Sequence, residues 1–277
     1  MKRLLALTVL LAWGLTGWAT SPRRIVVAGI PLYTEVLLAL GLRESIVGVA
    51  DTPENPEIVQ NLPKVGPVWA PSLEAIVGLD PDLVLGAPPE LRDRLLALGV
   101  PAFSLGGEDM WITSVSEVLE GIVEVGRVVG LEEEARVVAG TLALEILALE
   151  AKVLGRERPT AAFFYIYDPT GIPYVACGGT PEDEVIRRAG GLNAFGDLVG
   201  YPQVNLEEIL LRDPQVVFVG TGQKENVTGH HVLKSLRAVG TGQVWEVRAS
   251  DIVSTRVVQV LALVARALHP QVFAGER

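Results

Sequence analysis

Two stretches decide the fold, PSLEAIVGLDPDLVL (71–85) and VNLEEILLRDPQVVF (204–218). Aligned without a gap, Leu73, Glu74 and Ile76 fall on Leu206, Glu207 and Ile209, and Asp80-Pro81 falls on Asp213-Pro214. A second pair precedes each of them: EVLLALGL (35–42) is echoed by EVIRRAGGL (184–192). The same two pieces in the same order mark two related lobes within one chain. Around them short apolar, β-branched runs alternate with helical patterns, at Ile25 to Gly29, Ser45 to Val49, Leu83 to Leu85 and Pro101 to Leu105, then at Ala161 to Ile166 and Val216 to Gly220. That rhythm calls for parallel sheets covered on both faces.

Between the halves the rhythm breaks. Ser114 to Val129 reads as a helix ended by Gly130, and Glu132 to Leu154 runs without proline. As a helix the latter spans roughly 35 Å at 1.5 Å per residue. Val137, Val138, Leu142, Ile146 and Leu147 place apolar groups on several of its faces, which predicts packing on more than one side. The expected class is therefore α/β, with two Rossmann-like lobes joined by a single long α-helix. The expected divisions are a signal peptide at 1–19, an N-terminal lobe at 20–130, a linking helix at 131–155 and a C-terminal lobe at 156–277.

The signal-peptide reading rests on Lys2 and Arg3, the apolar run from Leu4 to Trp18, and small residues at Gly17 and Ala19. Export without a cysteine near the cleavage site points to a periplasmic protein that is not a lipoprotein. The only cysteine, Cys177, has no disulfide partner and reads as a buried thiol. The chain is 49% hydrophobic and carries a net charge of −10. Disorder is excluded by the first number, and a phosphate-backbone partner is disfavoured by the second. No catalytic or metal-binding set emerges. His230, His231 and His269 all fall late, and His230-His231 reads as a solvated loop pair. No GxSxG or Walker A motif is present, and Gly220-Thr221-Gly222 reads as a turn.

Ser72 and Asn205 are placed to cap helices, which puts Glu74 and Glu207 in first turns. There a carboxylate complements the helix dipole by about 0.3–1 kcal/mol. Equivalent acids on two lobes also suit the clamping of a two-fold symmetric basic partner. Open α/β sheets bind ligands beyond the carboxyl ends of their strands. Candidate cleft residues are thus Pro31, Leu32 and Tyr33 after the first strand, Trp69, and Trp111. In the second half they are Tyr165 and Tyr167 at a strand end, Tyr174, and Tyr201. Aromatic walls suit a large flat ligand.

RIVVAGIPLYTEVLLALGLRESIVGV, LPKVG, PSLEAIVGLDPDLVL and YPQVNLEEIL resemble the class III periplasmic substrate-binding proteins of ABC importers, over essentially the whole chain after residue 19. The resemblance implies a binding protein rather than an enzyme, with cobalamin, haem or a ferric siderophore as transported ligand and no cofactor of its own. It implies a monomer that docks on a permease dimer with its ATPase subunits through Glu74 and Glu207. Tyr174 and Tyr201 are most similar to positions of the cobalamin binders, Asp251 falls where that group has an aspartate before the last helix, and Arg256 supplies the nearby arginine at a different spacing. Haem binders are the rival, with Tyr33 or Tyr174 as iron ligand. An exported α/β enzyme using the same cleft is the alternative of another class.

Overall fold

The computed structural model describes residues 22–106 and 112–275. The expected signal peptide and Trp111 lie outside the described residues.

The N-terminal lobe holds β1 (Ile25–Val27), β2 (Ile46–Val49), β3 (Leu83–Leu85) and β4 (Ala102–Phe103) in one parallel sheet of order β2-β1-β3-β4. Its helices are α1 (Pro31–Ala39), α2 (Leu73–Val77), α3 (Pro89–Ala97) and α4 (Val115–Val128). The long helix α5 (Glu132–Val153) follows. The C-terminal lobe has β5 (Thr160–Tyr165), β6 (Tyr174–Ala176), β7 (Leu192–Asn193), β8 (Val216–Gly220) and β9 (Val244–Val247). Its sheet runs β6-β5-β8-β9, with β7 beside β5. All of these pairings are parallel except β5 with β6, where the segment carrying Tyr174 folds back as an antiparallel edge strand. The helices of this lobe are α6 (Pro181–Arg188), α7 (Leu206–Arg212), α8 (Lys224–Thr228), α9 (Arg237–Gly240), α10 (Ala249–Ile252) and α11 (Val257–Leu268).

The sequence repeat is a structural repeat down to the backbone. Ser72 accepts a hydrogen bond from the Ala75 N–H at the start of α2, and Asn205 accepts one from the Glu208 N–H at the start of α7. Asp80 and Asp213 adopt φ of 47° and 37°, the positive-φ non-glycine residues of the described chain. Aspartate tolerates this left-handed turn better than most side chains, and the proline after it cannot continue the helix. The next residue then ties two strands together. Asp82 accepts from the Arg23 and Arg24 N–H groups, and Gln215 accepts from the Thr160 N–H. β3 and β8 thereby take the same place beside β1 and β5.

Three hydrophobic clusters are formed among the described residues. One lies on the outer face of the N-terminal sheet and includes Val26, Ile76 and Val84. A second lies on the outer face of the C-terminal sheet and includes Phe164, Ile209 and Val217. The third is shared: it runs from Ile25 and Leu85 through Ile122 on α4 and Ile146 on α5 to Phe163, Phe218 and Leu261 on α11. The linking helix is therefore not a bare strut, because α4 and α11 pack along it and join the lobes. Its apolar residues do not all find partners, however. Ile146 is buried, whereas Val137, Leu144 and Leu147 are exposed, so one face of α5 is open rather than packed.

Two short segments bear on the expectations. Pro31, Leu32 and Tyr33, the residues after the first strand, form the first turn of α1, because proline sits at N1 with its φ preset for the helix. His230 is buried rather than solvated, its Nδ1 accepting from the Val232 and Leu233 N–H groups at 3.1 Å. At the carboxyl ends of β1 and β3 the backbones of Gly29 and Gly86 nearly touch: a Cβ built on Gly86, where φ is +76°, would lie 2.6 Å from the Gly29 Cα. Gly86→Ala should therefore cost well over 1 kcal/mol in a urea melt, through forced φ and clash together.

Candidate functional site

A cavity of about 610 Å³ lies between the lobes, beyond the carboxyl ends of β1 and β5. Pro31 and Trp69 line its N-terminal side, and Tyr165, Tyr167, Tyr174 and Tyr201 line its C-terminal side. Trp69 is 72% exposed and Tyr174 43% exposed, so both present ring surface at the opening. The rings of Tyr165 and Tyr201 lie 6.2 Å apart and tilted.

Four expected contacts are not on this wall. Leu32 is buried in the shared core. Tyr33 is 3% exposed, and its phenol oxygen accepts from the Leu105 N–H at 2.7 Å. Burial pushes that phenol up to about 12, against iron ligation as well as against cleft contact. Asp251 and Arg256 face Glu35 instead of the cavity. Arg256 Nη2 approaches the Glu35 carboxylate and lies 2.9 Å from Asp251 Oδ1. The groups are close but not aligned as hydrogen bonds. Thr255 Oγ1 donates to Glu35 Oε2 at 2.9 Å.

That contact joins α1 of one lobe to the start of α11 in the other, and it has a counterpart. Glu184 on α6 accepts at 2.7 Å from the N–H of Val115, the first residue of α4. Glu35 and Glu184 are the matched first residues of the repeated EV segments. Each lobe thus grips the opening turn of the other lobe's last helix with the same glutamate. Glu184 also pairs with Arg188, which reaches Glu150 on α5. These pairings, with the shared core beneath them, fix the angle between the walls of the cavity. A buried apolar junction of this kind restrains the domain motion otherwise expected of two lobes.

The cleft holds carboxylates that the residue pattern does not single out, Glu54 and Glu182. In the sequence Glu182 has only the look of a helix-start acid. It receives hydrogen bonds from Tyr165 at 2.5 Å and Tyr201 at 2.8 Å. Burial and then the Glu182 charge hold both phenols well above their ordinary range, so they stay protonated and donate. No lysine, arginine or histidine is among the described residues of the wall. A larger concavity, of about 850 Å³, lies wholly on the C-terminal lobe. Its arginines already have acids, Arg212 with Asp197 and Glu208, Arg187 with Asp183, and it lacks aromatic walls.

Glu74 and Glu207 stand apart from the cleft, exposed in the first turns of α2 and α7. Ser72 and Asn205 cap those helices, so neither carboxylate is needed as a cap. Cys177 is buried, and burial raises its thiol to about 11.

The chain is similar to known proteins throughout this architecture. A vitamin B12-binding protein of Vibrio campbellii is 26% identical over 242 residues, covering 84% of each chain. The solved periplasmic haem-binding protein of Pseudomonas aeruginosa superposes with a TM-score of 0.80 at 21% identity, over 90% of this chain and 93% of that one. The periplasmic vitamin B12 binding protein BtuF of Vibrio cholerae superposes with a TM-score of 0.74 at 24% identity, over 91% and 98%. Residues 26–250 match the family described as periplasmic binding protein. With most of its length inside that match, and with two α/β lobes around a cleft, the chain belongs to the periplasmic binding protein family.

Proposed function

We propose that this protein binds cobalamin or a related corrinoid in the inter-lobe cleft and hands it to the permease dimer of an ABC importer, acting as a monomer in the periplasm after removal of its signal peptide. The observation that carries the ligand choice is the cleft wall: tyrosines and a tryptophan, two carboxylates, and no cation among the described residues. Haem presents two carboxylates and ferric siderophores are commonly anionic chelates, so both meet a wall of their own sign. A corrinoid presents carboxamides around a flat macrocycle, which aromatic faces and hydrogen-bond acceptors can hold. The similarity to vitamin B12-binding proteins supports the same reading. The second reading, haem, rests on Tyr174, which is half-exposed at the opening and has no phenol partner among the described residues.

Calorimetric titration of the purified protein separates them. Cyanocobalamin is expected to bind one to one with Kd below about 10 μM, roughly −7 kcal/mol, and haemin more weakly. Cobalamin binding weaker than about 10 μM would overturn the corrinoid reading.

A further inference from the structure

Glu182 is held in a way that neither helix capping nor core packing requires. Thr180 already caps α6 by accepting from the Asp183 N–H, and the Glu182 side chain borders the cavity although only 5% of the residue is exposed. Its two oxygens are fixed by donors from separate parts of the lobe, Tyr165 at the end of β5 and Tyr201 in the segment before α7. A carboxylate offers about four acceptor positions. The two phenols occupy two, which leaves acceptor capacity on a rigidly oriented group. The partners are neutral, and no salt bridge to Glu182 exists among the described residues. A buried carboxylate is ordinarily neutralised by a cation, because its desolvation is costly. Here the carboxyl group lies at the second position of a helix, and the two phenols orient it. Half-buried Glu54, on the opposite lobe, adds charge of the same sign to the cavity wall.

We propose that Glu182 is the specificity-determining acceptor of the cleft, taking N–H donors from a ligand's carboxamides and excluding ligands that present carboxylates at the same place. The assignment of carboxamides rests on the corrinoid reading, whereas the exclusion of carboxylates does not. Tyr165 and Tyr201 are positioning residues in this scheme. They hold the acceptor still and leave its charge intact. The cleft thereby discriminates by rejection as well as by fit, since a buried acceptor penalises a partner that cannot donate.

The test compares the wild-type protein with Glu182→Gln, using cyanocobalamin and haemin as probes and a thermal melt as a check on folding. Glutamine keeps the shape and removes the charge. Cyanocobalamin is expected to bind about tenfold more weakly to the variant and haemin about tenfold more tightly. Opposite movement is the signature, because simple structural damage weakens both. Movement in the same direction, or none, overturns the proposal. Tyr165→Phe with Tyr201→Phe retains the charge, so haemin should stay as weak as in the wild type; tightening there would also count against Glu182. If Glu182→Gln does not fold, the wild-type protein is titrated with the separate monocarboxylates made by hydrolysing single propionamides of cyanocobalamin. At least one is expected to bind about tenfold more weakly than the parent, and equal affinity for all of them overturns the proposal. The two readings fail separately. Wild-type protein that ignores cyanocobalamin loses the corrinoid assignment, while tighter haemin binding by Glu182→Gln still upholds exclusion. Haemin binding that is equal in both proteins, or undetectable in both, overturns exclusion whatever cobalamin does.

Discussion

Exchanging Glu74 and Glu207 together for alanine is expected to abolish ligand uptake and leave cyanocobalamin affinity unchanged. Both side chains are exposed, and neither has an ionic partner among the described residues. Folding loses little, since the caps at Ser72 and Asn205 remain. The loss is limited to a helix-dipole contribution of about 0.3–1 kcal/mol at each site. Neither residue lines the cleft. Under the proposed function, what the double variant removes is a pair of charges placed alike on two related lobes, suited to guanidinium groups on a two-fold permease. Truncating one partner of a charge-assisted hydrogen bond across an interface costs about 2–5 kcal/mol. Single variants should therefore retain measurable uptake while the double falls below detection. The measurement is uptake into vesicles carrying the cognate permease and ATPase, with calorimetry on the same protein. Normal uptake by the double variant would remove the docking role and leave the glutamates as helix-start acids.

Arg256→Met is expected to lower stability by about 2–3 kcal/mol at neutral pH, below the cost of about 3–5 kcal/mol for breaking a fully buried ion pair, because the Arg256 side chain is 30% exposed. For a chain of this size that is a fall of about 5–10 °C in Tm. Methionine keeps the aliphatic bulk, so the loss reports the charge. It leaves Glu35, 6% exposed, facing Asp251 with no cation between them. The pH dependence has a definite sign. Burial raises both carboxyls above their ordinary values of 4.5 and 3.8, and the Arg256 charge pulls them back down. A carboxyl whose folded value is raised binds its proton more tightly in the folded state. Its contribution is therefore most favourable below the unfolded value and declines as pH rises through the folded one. Removing Arg256 raises both values further and steepens that decline. The difference in Tm between variant and wild type should be full near pH 7 and shrink as the pH falls through 5 toward 4. A difference that is constant with pH would mean that Arg256 acts by packing alone.

Much of the lobe architecture is legible in the sequence because the lobes repeat each other. One copy of LEAIVGLDP fits any helix followed by a turn, but two copies at matched positions fix a unit of helix, left-handed aspartate, proline and strand. The aromatic wall is legible for a related reason. Tyr165, Tyr167, Tyr174 and Tyr201 follow or flank strand ends, where α/β sheets place their ligands. Other features depend on pairings that a linear pattern does not carry. Arg256 and Asp251 belong to a glutamate more than two hundred positions away. The acids at the start of α6 look alike in the sequence, and only the phenols of Tyr165 and Tyr201 set Glu182 apart from Asp183. The α1 start at Pro31 is hidden because Ile30, unlike Thr180 before Pro181, offers no capping oxygen.

The shared central core has a consequence for how the molecule comes into being. A growing chain that has emerged only as far as Gly155 already contains β1 to β4 and the long helix. It still lacks α11, whose Val257, Leu261 and Val264 cover the apolar surfaces of the earlier elements. The first half therefore cannot complete its interior before the last turns of the second are made. The two lobes, so alike in sequence, do not ripen one after the other during synthesis. The final helix covers apolar surface belonging to both lobes, and those lobes are the two walls of the cleft.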